Sequence, residues 1–312
     1  RMDRMDRMDR MDRMDRMDRM DRMDRMDRMD RMDRTDRTDR MDHPTRLGVF
    51  RSEAEAFDRA LRRAADGGRE GPPVPSCPGW SVADLAGHLG SVQRYLTHVL
   101  RQRHTEPPDP TDPALYALPE DPAVRAAWPR HDATPHRGPV PEELLDWSAE
   151  AARELARALA DLGPDVPVWS WSAEHTSGFW TRVQTIEQAV HRWDAESVTG
   201  DPAPFDPAFA TDAVAQTFEV MVPARRGWNP APPGTGERYR FHRTDGPETW
   251  TVGFTGDEVR LEPDGTGPVG VEAAGTASDL TLFLWGRLPA TALETTGDTA
   301  LLGHWFTLVP PA

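Results

Sequence analysis

The sequence contains no lysine and a single cysteine. All 37 basic residues are therefore arginine, and 52 acidic residues outnumber them, which gives a formal net charge of −15. A chain this acidic has no basic stripe that could displace counterions from a phosphate backbone, so nucleic acid is excluded as a main partner. The lone Cys77 excludes an internal disulfide and is typical of a reducing compartment.

Long hydrophobic runs are also missing from the sequence. No apolar segment approaches the roughly 20 residues that a membrane-spanning helix needs. No basic and then apolar signal segment opens the chain. We therefore expect a soluble, cytoplasmic protein whose partners are small molecules and not membranes.

The first 42 residues are a low-complexity repeat. They consist of twelve Arg-Met-Asp triplets and two Arg-Thr-Asp triplets. On a helix a three-residue period turns about 300° per repeat, so the methionines spiral around the axis and never form a buried face. We interpret residues 1–42 as a segment without a fold of its own, disordered or marginally helical. The alternative is an interaction tail that organises the protein around a partner.

Four amphipathic helices are predicted in residues 43–200. Apolar residues recur at steps of three and four in four segments, which begin near Phe50, Ser81, Glu142 and Val183. The second segment opens with Ser81-Val-Ala-Asp84, a variant of the capping box. A long proline-rich connection, residues 103–140, separates it from the third. This pattern predicts a four-helix bundle with one crossover connection.

Residues 208–312 have the pattern of a small α+β domain. An amphipathic segment at 209–222 precedes a strand-like alternation at 238–242. Two more alternating segments flank Gly256-Asp257, which indicates a β-hairpin. Shorter predicted elements are two helices, at 278–287 and 299–308, and a strand at 292–296. The complete prediction is a mainly α protein in which the bundle is followed by an α+β domain.

The fourth predicted helix carries a carboxylate and an imidazole one turn apart, Glu187 and His191. Both flank its apolar stripe, and His88 flanks the apolar seam of the second helix in the same way. Three such side chains on facing helices could bind a divalent metal such as zinc, with a coordination position left open. From spacing alone, an ion pair or a hydrogen-bonded core histidine is the simpler interpretation. Arg192 and Asp194 would serve the solvated edge or support the ligands.

Two other features of the sequence have both a chemical and a structural interpretation. Cys77 could be a thiol nucleophile, but no framework of His or Asn points to it, and a lone cysteine is more often a small buried hydrophobic residue. The aromatic residues Trp169, Trp171, Phe179 and Trp180 precede the fourth helix. They could line the mouth of a pocket, but we interpret them as packing residues.

Two motifs about a hundred residues apart resemble those of a known family. Ser76-Cys-Pro-Gly-Trp-Ser-Val-Ala-Asp-Leu-Ala-Gly-His-Leu89 is similar to the CPGWxVxDLxxHL motif of mycothiol-dependent maleylpyruvate isomerase-like proteins, within the DinB-like superfamily of helical bundles. Glu187-Gln-Ala-Val-His-Arg-Trp-Asp-Ala-Glu196 resembles that family's second motif. Segments around Gly275, Leu284 and Thr296 resemble its C-terminal domain.

The resemblance implies a metal site and a thiol cofactor. His88, Glu187 and His191 match the family's metal ligands, for which zinc is the usual metal, and the thiol would be mycothiol. The family's arginine in the C-terminal domain implies a clamp for a dicarboxylate substrate. The candidates for that clamp are Arg238, Arg240 and Arg287, of which we take Arg240.

The function that the resemblance implies is a mycothiol-dependent isomerase or thiol S-transferase acting on a small electrophile such as maleylpyruvate. A different class remains open, namely a non-catalytic carrier whose C-terminal domain holds an apolar ligand and whose metal site is vestigial or regulatory. A third reading is the interaction protein organised by the repeat.

Overall fold

A computed structural model describes residues 41–66, 70–130, 132–200, 202–262 and 265–311. The predictions made for the repeat therefore lie outside the described residues, except at its last two positions. No helix in the described part of the chain is long and apolar enough to cross a membrane.

The first part of the structure is a bundle of four long helices with one short helix in a connection. They are α1 (His43–Ala65), α2 (Val82–Gln102), the short α3 (Pro122–Ala126), α4 (Glu142–Leu162) and α5 (Ser177–Ser197). Helix α1 packs along α5 and against α4, and α2 packs along α4, whereas α2 and α5 touch over a shorter length. The predicted four-helix bundle is confirmed, with its crossover between α2 and α4.

The capping box at the start of α2 also fastens the crossover. The Ser81 hydroxyl accepts a hydrogen bond from the Asp84 amide, and the Asp84 carboxylate accepts one from the Ser81 amide at 2.8 Å. The same carboxylate oxygen accepts the amide of His136, in the crossover, at 2.8 Å. A buried carboxylate with these donors satisfies otherwise unpaired amides of the helix and ties the proline-rich connection to it.

The second part of the structure is a five-stranded sheet with helices packed against it. Its helices are α6 (Pro207–Gln216), α7 (Val222–Trp228), α8 (Ala277–Leu284), α9 (Thr299–Gly303) and α10 (Trp305–Leu308). Its strands are β1 (Gly234–Arg243), β2 (Thr249–Gly256), β3 (Glu258–Glu262), β4 (Val271–Gly275) and β5 (Glu294–Gly297). A π-helical turn, Thr217–Met221, joins α6 to α7.

The strand order is β3-β2-β1-β4-β5, with β1 parallel to β4 and the other neighbours antiparallel. The hairpin predicted at Gly256-Asp257 is confirmed, and Gly256 has a φ of 58°, which favours glycine. The strand β4 was not predicted. Its five residues, Val271-Glu-Ala-Ala-Gly275, are too few to show a distinct alternation.

Aromatic side chains fill the core between the sheet and its helices. Tyr239 and Phe241 from β1, Phe254 from β2 and Trp305 from α10 are all fully buried. The Trp305 ring lies edge to face with the other three, and the Tyr239 and Trp305 centroids are 5.0 Å apart. Burial of such large side chains supplies much of the stability of a small domain.

Buried ion pairs join the bundle to the second part. Asp212 on α6 lies 3.0 Å from a guanidinium nitrogen of Arg46 on α1 and 2.9 Å from one of Arg182 on α5. The described residues from Asp42 onwards accordingly form one compact unit. The division into domains at 43–200 and 208–312 stays a prediction.

We expect Gly90→Ala to destabilise the protein. A Cβ atom at Gly90 in α2 would lie 2.2 Å from the Trp147 ring of α4, so the helices could no longer pack as closely. The free energy of unfolding should fall by about 1–3 kcal/mol despite the better helix propensity of alanine. Gly48→Ala in α1 is the matched control, because its Cβ meets nothing within 4 Å. Urea unfolding of both variants checks this, and equal stabilisation by both would contradict it.

Candidate active site

His88, Glu187 and His191 lie together between α2 and α5. One potential ligand atom from each residue lies within 4.8 Å of the other two. The Nε2 atom of His88 is 3.6 Å from Oε1 of Glu187, and the centroids of the two imidazole rings are 5.2 Å apart. The helical spacing of Glu187 and His191 places them on adjacent turns of α5, where both can reach the same point.

Asp194 fixes the orientation of His191. Its Oδ2 atom is 2.9 Å from Nδ1 of His191. Burial alone would raise the pKa of Asp194, but the hydrogen bonds from His191 and Arg287 outweigh burial and hold this pKa well below its usual range. Asp194 is therefore a carboxylate that accepts the Nδ1 proton, and the Nε2 lone pair of His191 remains free to bind a metal.

The charge states in the cluster also suit a metal site. Burial lowers the pKa of His191, so its ring is neutral at neutral pH. Burial alone would raise the pKa of Glu187, but the neighbouring His88, His191 and Gln184 outweigh it, and the net pKa is lowered. The Gln184 amide donates to Oε2 of Glu187 at 2.6 Å. The carboxylate is thus ionised and held in place by a hydrogen bond.

Arg287, from the segment after α8, reaches the bundle and contacts Asp194. Its Nε and Nη2 atoms lie 3.0 and 2.8 Å from the two carboxylate oxygens, a side-on bidentate pairing of arginine and carboxylate. The Ser76 hydroxyl donates to the same carboxylate at 2.6 Å. The loop before α2, the helix α5 and the second part of the chain therefore meet at one fully buried charge.

Cys77 also lies at this meeting point, in surroundings that disfavour its thiolate form. Its Sγ atom donates to Oδ2 of Asp194 at 3.3 Å. Burial and the charge of Asp194 raise the pKa of Cys77 to about 12. Cys77, His191 and Asp194 form a second group close enough to hold a metal. That group is the weaker candidate, because Arg287 already pairs with its carboxylate.

A cavity of about 790 Å³ opens beside the cluster, and His88 and Glu187 form part of its wall. Most of the wall is apolar, and much of it is aromatic. Eight tryptophans line it, namely Trp80, Trp128, Trp147, Trp169, Trp171, Trp180, Trp228 and Trp285. The interpretation of Trp169, Trp171 and Trp180 as packing residues alone was therefore incomplete, because they also line the cavity. Phe179 is buried and is not one of the lining residues.

The sequence analysis missed the other five tryptophans of this wall. They come from the loop before α2, the crossover, α4, α7 and the end of α8, so no local pattern links them. The total of 11 tryptophans in the chain was the one available signal. Gln184 was missed as well, because a single glutamine one turn before Glu187 has no distinctive pattern.

The three arginines proposed as a clamp lie in different places. Arg240 on β1 pairs with Glu272 and donates to the Gly265 and Gly267 carbonyl oxygens at 2.5 and 2.7 Å. Arg238 on the same strand pairs with Glu262. Neither is among the residues that line the cavity. Arg287 is the one beside the cluster, where it binds Asp194.

The fold and the cluster together define a class of protein, a helical bundle with a potential metal triad on facing helices and a small α+β domain after it. Comparison with protein families gives two matches. The mycothiol maleylpyruvate isomerase N-terminal domain matches residues 50–196, and the C-terminal domain of the same family matches residues 208–304. The chain belongs to the mycothiol-dependent maleylpyruvate isomerase family, as its two motifs predicted.

Two solved structures share the fold. One is a crystal structure of a histidine-to-alanine variant of the mycothiol-dependent maleylpyruvate isomerase, with 14% identity, a TM-score of 0.55, and coverage of 83% of this chain and 95% of that chain. The other is a crystal structure of the mycothiol-dependent maleylpyruvate isomerase, with 15% identity, a TM-score of 0.53 and the same coverage. No curated protein sequence matches the chain at a significant level.

Arg287→Met should destabilise the protein far more than loss of an exposed arginine. It leaves Asp194 buried with one charged partner fewer, which typically costs about 3–5 kcal/mol. The matched control is Arg260→Met, since Arg260 is 69% exposed and pairs with Glu258, itself 57% exposed. That change should cost less than about 1 kcal/mol. Unfolding in urea measures both, and a similar small loss in the two variants would contradict the prediction.

Proposed function

We propose that this protein is a metal- and thiol-dependent enzyme that acts on a small electrophile, with zinc as the metal and mycothiol as the thiol. The observation that carries the proposal is the convergence of His88, Glu187 and His191 at the wall of a large cavity. Membership of the family supports mycothiol as the thiol, because the family is named for its dependence on mycothiol.

The residues present fit a zinc ion. Two imidazoles and one carboxylate are a common ligand set for catalytic zinc, which keeps a further position for a substrate. The Asp194–His191 hydrogen bond is the support that zinc-binding histidines usually have, and Gln184 gives Glu187 a comparable support. These two hydrogen bonds use Nδ1 of His191 and Oε2 of Glu187, and so leave Nε2 of His191 and Oε1 of Glu187 for the metal.

The chain's own residues would set up the chemistry around the metal. A zinc ion held there would supply the positive charge that lowers the pKa of a bound thiol. Asp194 keeps His191 in one tautomer, and Gln184 holds the Glu187 carboxylate. The Trp80 ring packs against His88, with centroids 4.9 Å apart, and shields that side of the cluster from water.

Two reactions are compatible with this site. In isomerisation, a carbon–sulfur bond forms at the cis double bond, the resulting single bond rotates, and the same carbon–sulfur bond breaks to restore the thiol and give the trans double bond. In S-transfer, the carbon–sulfur bond persists in the product. Arg240 is held by Glu272 and by two carbonyl oxygens, so we do not assign it to a substrate in either reaction.

The carrier interpretation has less support. In it the C-terminal domain holds an apolar ligand, but aromatic side chains fill the core between the described sheet and its helices. The 790 Å³ cavity is lined largely by bundle residues and lies against the candidate ligands. A cavity that adjoins a potential metal triad favours an enzyme.

We expect the full chain, purified without chelators or a histidine tag, to contain about one zinc ion per molecule. His88→Ala and His191→Ala should lose most of this metal and the mycothiol-dependent turnover of a small electrophile. His98→Ala is the matched control on α2, because His98 stacks on His104 away from the cluster. Elemental mass spectrometry and an absorbance assay measure the two properties. An equal metal content in all four proteins would refute the metal site.

Gln184→Leu should weaken zinc binding without removing a ligand. It deletes the hydrogen bond to Glu187, and loss of such a supporting contact typically lowers metal affinity about 10–100-fold. Gln188→Leu is the matched control on the same helix. The buried Gln188 accepts a hydrogen bond from Gln93, which is not one of the three candidate metal ligands. Competition with a fluorescent zinc chelator measures the affinity. If both variants weaken zinc equally, the effect is general destabilisation and the role given to Gln184 is wrong.

A further inference from the structure

We propose that the substrate of this protein is a neutral, apolar electrophile of aromatic size, and not a dicarboxylate. This inference rests on the proposed function, since it names the substrate class of the same site. Three independent features of the cavity support it: the composition of its walls, the placement of exposed apolar side chains, and the shortage of cationic groups.

The walls of the cavity bring together aromatic rings from both parts of the protein. Trp169 and Trp180 have ring centroids 5.9 Å apart, and Trp171 lies edge to face with Trp228 at 4.9 Å. The first three come from the bundle and Trp228 from α7. A continuous wall of indole rings binds flat apolar molecules through burial and ring contacts.

Apolar side chains that reach solvent lie at this same cavity. Among the described residues, the large hydrophobic side chains that are exposed are Leu118, at 36%, and Trp228, at 50%. Both line the cavity, Leu118 from the crossover and Trp228 from α7. Exposed apolar side chains that gather at one cavity, unlike scattered ones, are typical of a binding site. The mouth of the cavity therefore carries apolar side chains as well as its interior.

The cavity lacks the cations that a dicarboxylate needs. Arg130 is the single arginine among the described lining residues, and Asp84 and Glu187 are carboxylates. Arg130 is 69% exposed and already pairs with Asp132 at 2.7 Å. Apart from a metal ion at the triad, a dianion would thus lose its hydration without gaining a buried cationic side chain, which is costly.

The arginine nearest the cluster does not remedy this shortage. Arg287 is not one of the lining residues. Its guanidinium already donates hydrogen bonds to both carboxylate oxygens of Asp194. For Arg287 to bind a substrate carboxylate, Asp194 would have to remain buried with that charge unpaired. A neutral electrophile avoids this cost altogether.

The test compares two probes that have the same shape but differ in charge. Naphthalene-2,6-dicarboxamide is neutral, and naphthalene-2,6-dicarboxylate is a dianion. Binding to the zinc-loaded full chain is followed by quenching of tryptophan fluorescence. The neutral probe should bind at least about tenfold more tightly. Equal binding, or tighter binding of the dianion, would overturn the proposal.

Variants at the cavity mouth show whether binding occurs at the proposed wall. Trp228→Ala should weaken the neutral probe about fivefold to tenfold, whereas Trp228→Phe should retain most of the affinity. Leu118→Ala, from a different segment, should weaken it in the same direction. If none of the three changes affects the neutral probe, it binds elsewhere and the proposal fails.

Turnover separates this inference from the proposed function. Two electrophiles are each offered with mycothiol: maleylpyruvate, a dianion, and monobromobimane, a neutral, flat bicyclic molecule of aromatic size that loses bromide as its methylene carbon bonds to the thiol sulfur, while the thiol proton goes to solvent. Preference for monobromobimane, with a higher KM for it in Trp228→Ala, supports the inference. Preference for maleylpyruvate overturns the inference and leaves the proposed function standing. The same holds if Trp228→Ala changes the KM for mycothiol but not the KM for monobromobimane. Selective binding of the neutral probe without any thiol-dependent turnover instead removes the proposed function and keeps the apolar ligand.

Discussion

One buried carboxylate determines how the parts of this protein fit together. Asp194 is fully buried, and a charge in that position must be paired. Its partners come from three places in the chain: Ser76 before α2, His191 on α5 and Arg287 after α8. The pairing therefore orients a candidate ligand and, at the same time, joins the bundle to the second part of the structure.

The space for a substrate follows from how the helices pack. The close approach of α2 to α4 depends on Gly90, which accepts the Trp147 ring against the helix backbone. Helices α2 and α5, by contrast, touch over a shorter length. The cavity is lined by residues of both helices and opens where they separate. Ligands carried by these two helices consequently lie at the cavity wall. A metal bound by both would also hold them at a fixed separation.

Local patterns were sufficient to predict the helices and the hairpin, because apolar spacing, the box at Ser81 and the turn at Gly256 are short-range signals. The inward lean of His88 and His191 followed from the same spacing, and the structure brings them together, although metal binding stays a prediction. The strand β4 pairs with β1 across about thirty residues, so no local signal announces it. The aromatic wall and the place of Arg287 depend likewise on contacts between distant segments.

The candidate metal ligands and the apolar mouth of the cavity lie on different parts of the structure. The triad is carried by rigid helices and lies within the two family motifs. The cavity mouth is built by the crossover and α7, which carry Leu118 and Trp228. Connecting segments can change without disturbing a metal site on helices, so one bundle can keep its chemistry while its substrate changes. Because of this separation, an apolar mouth can adjoin a triad that lies within the two family motifs.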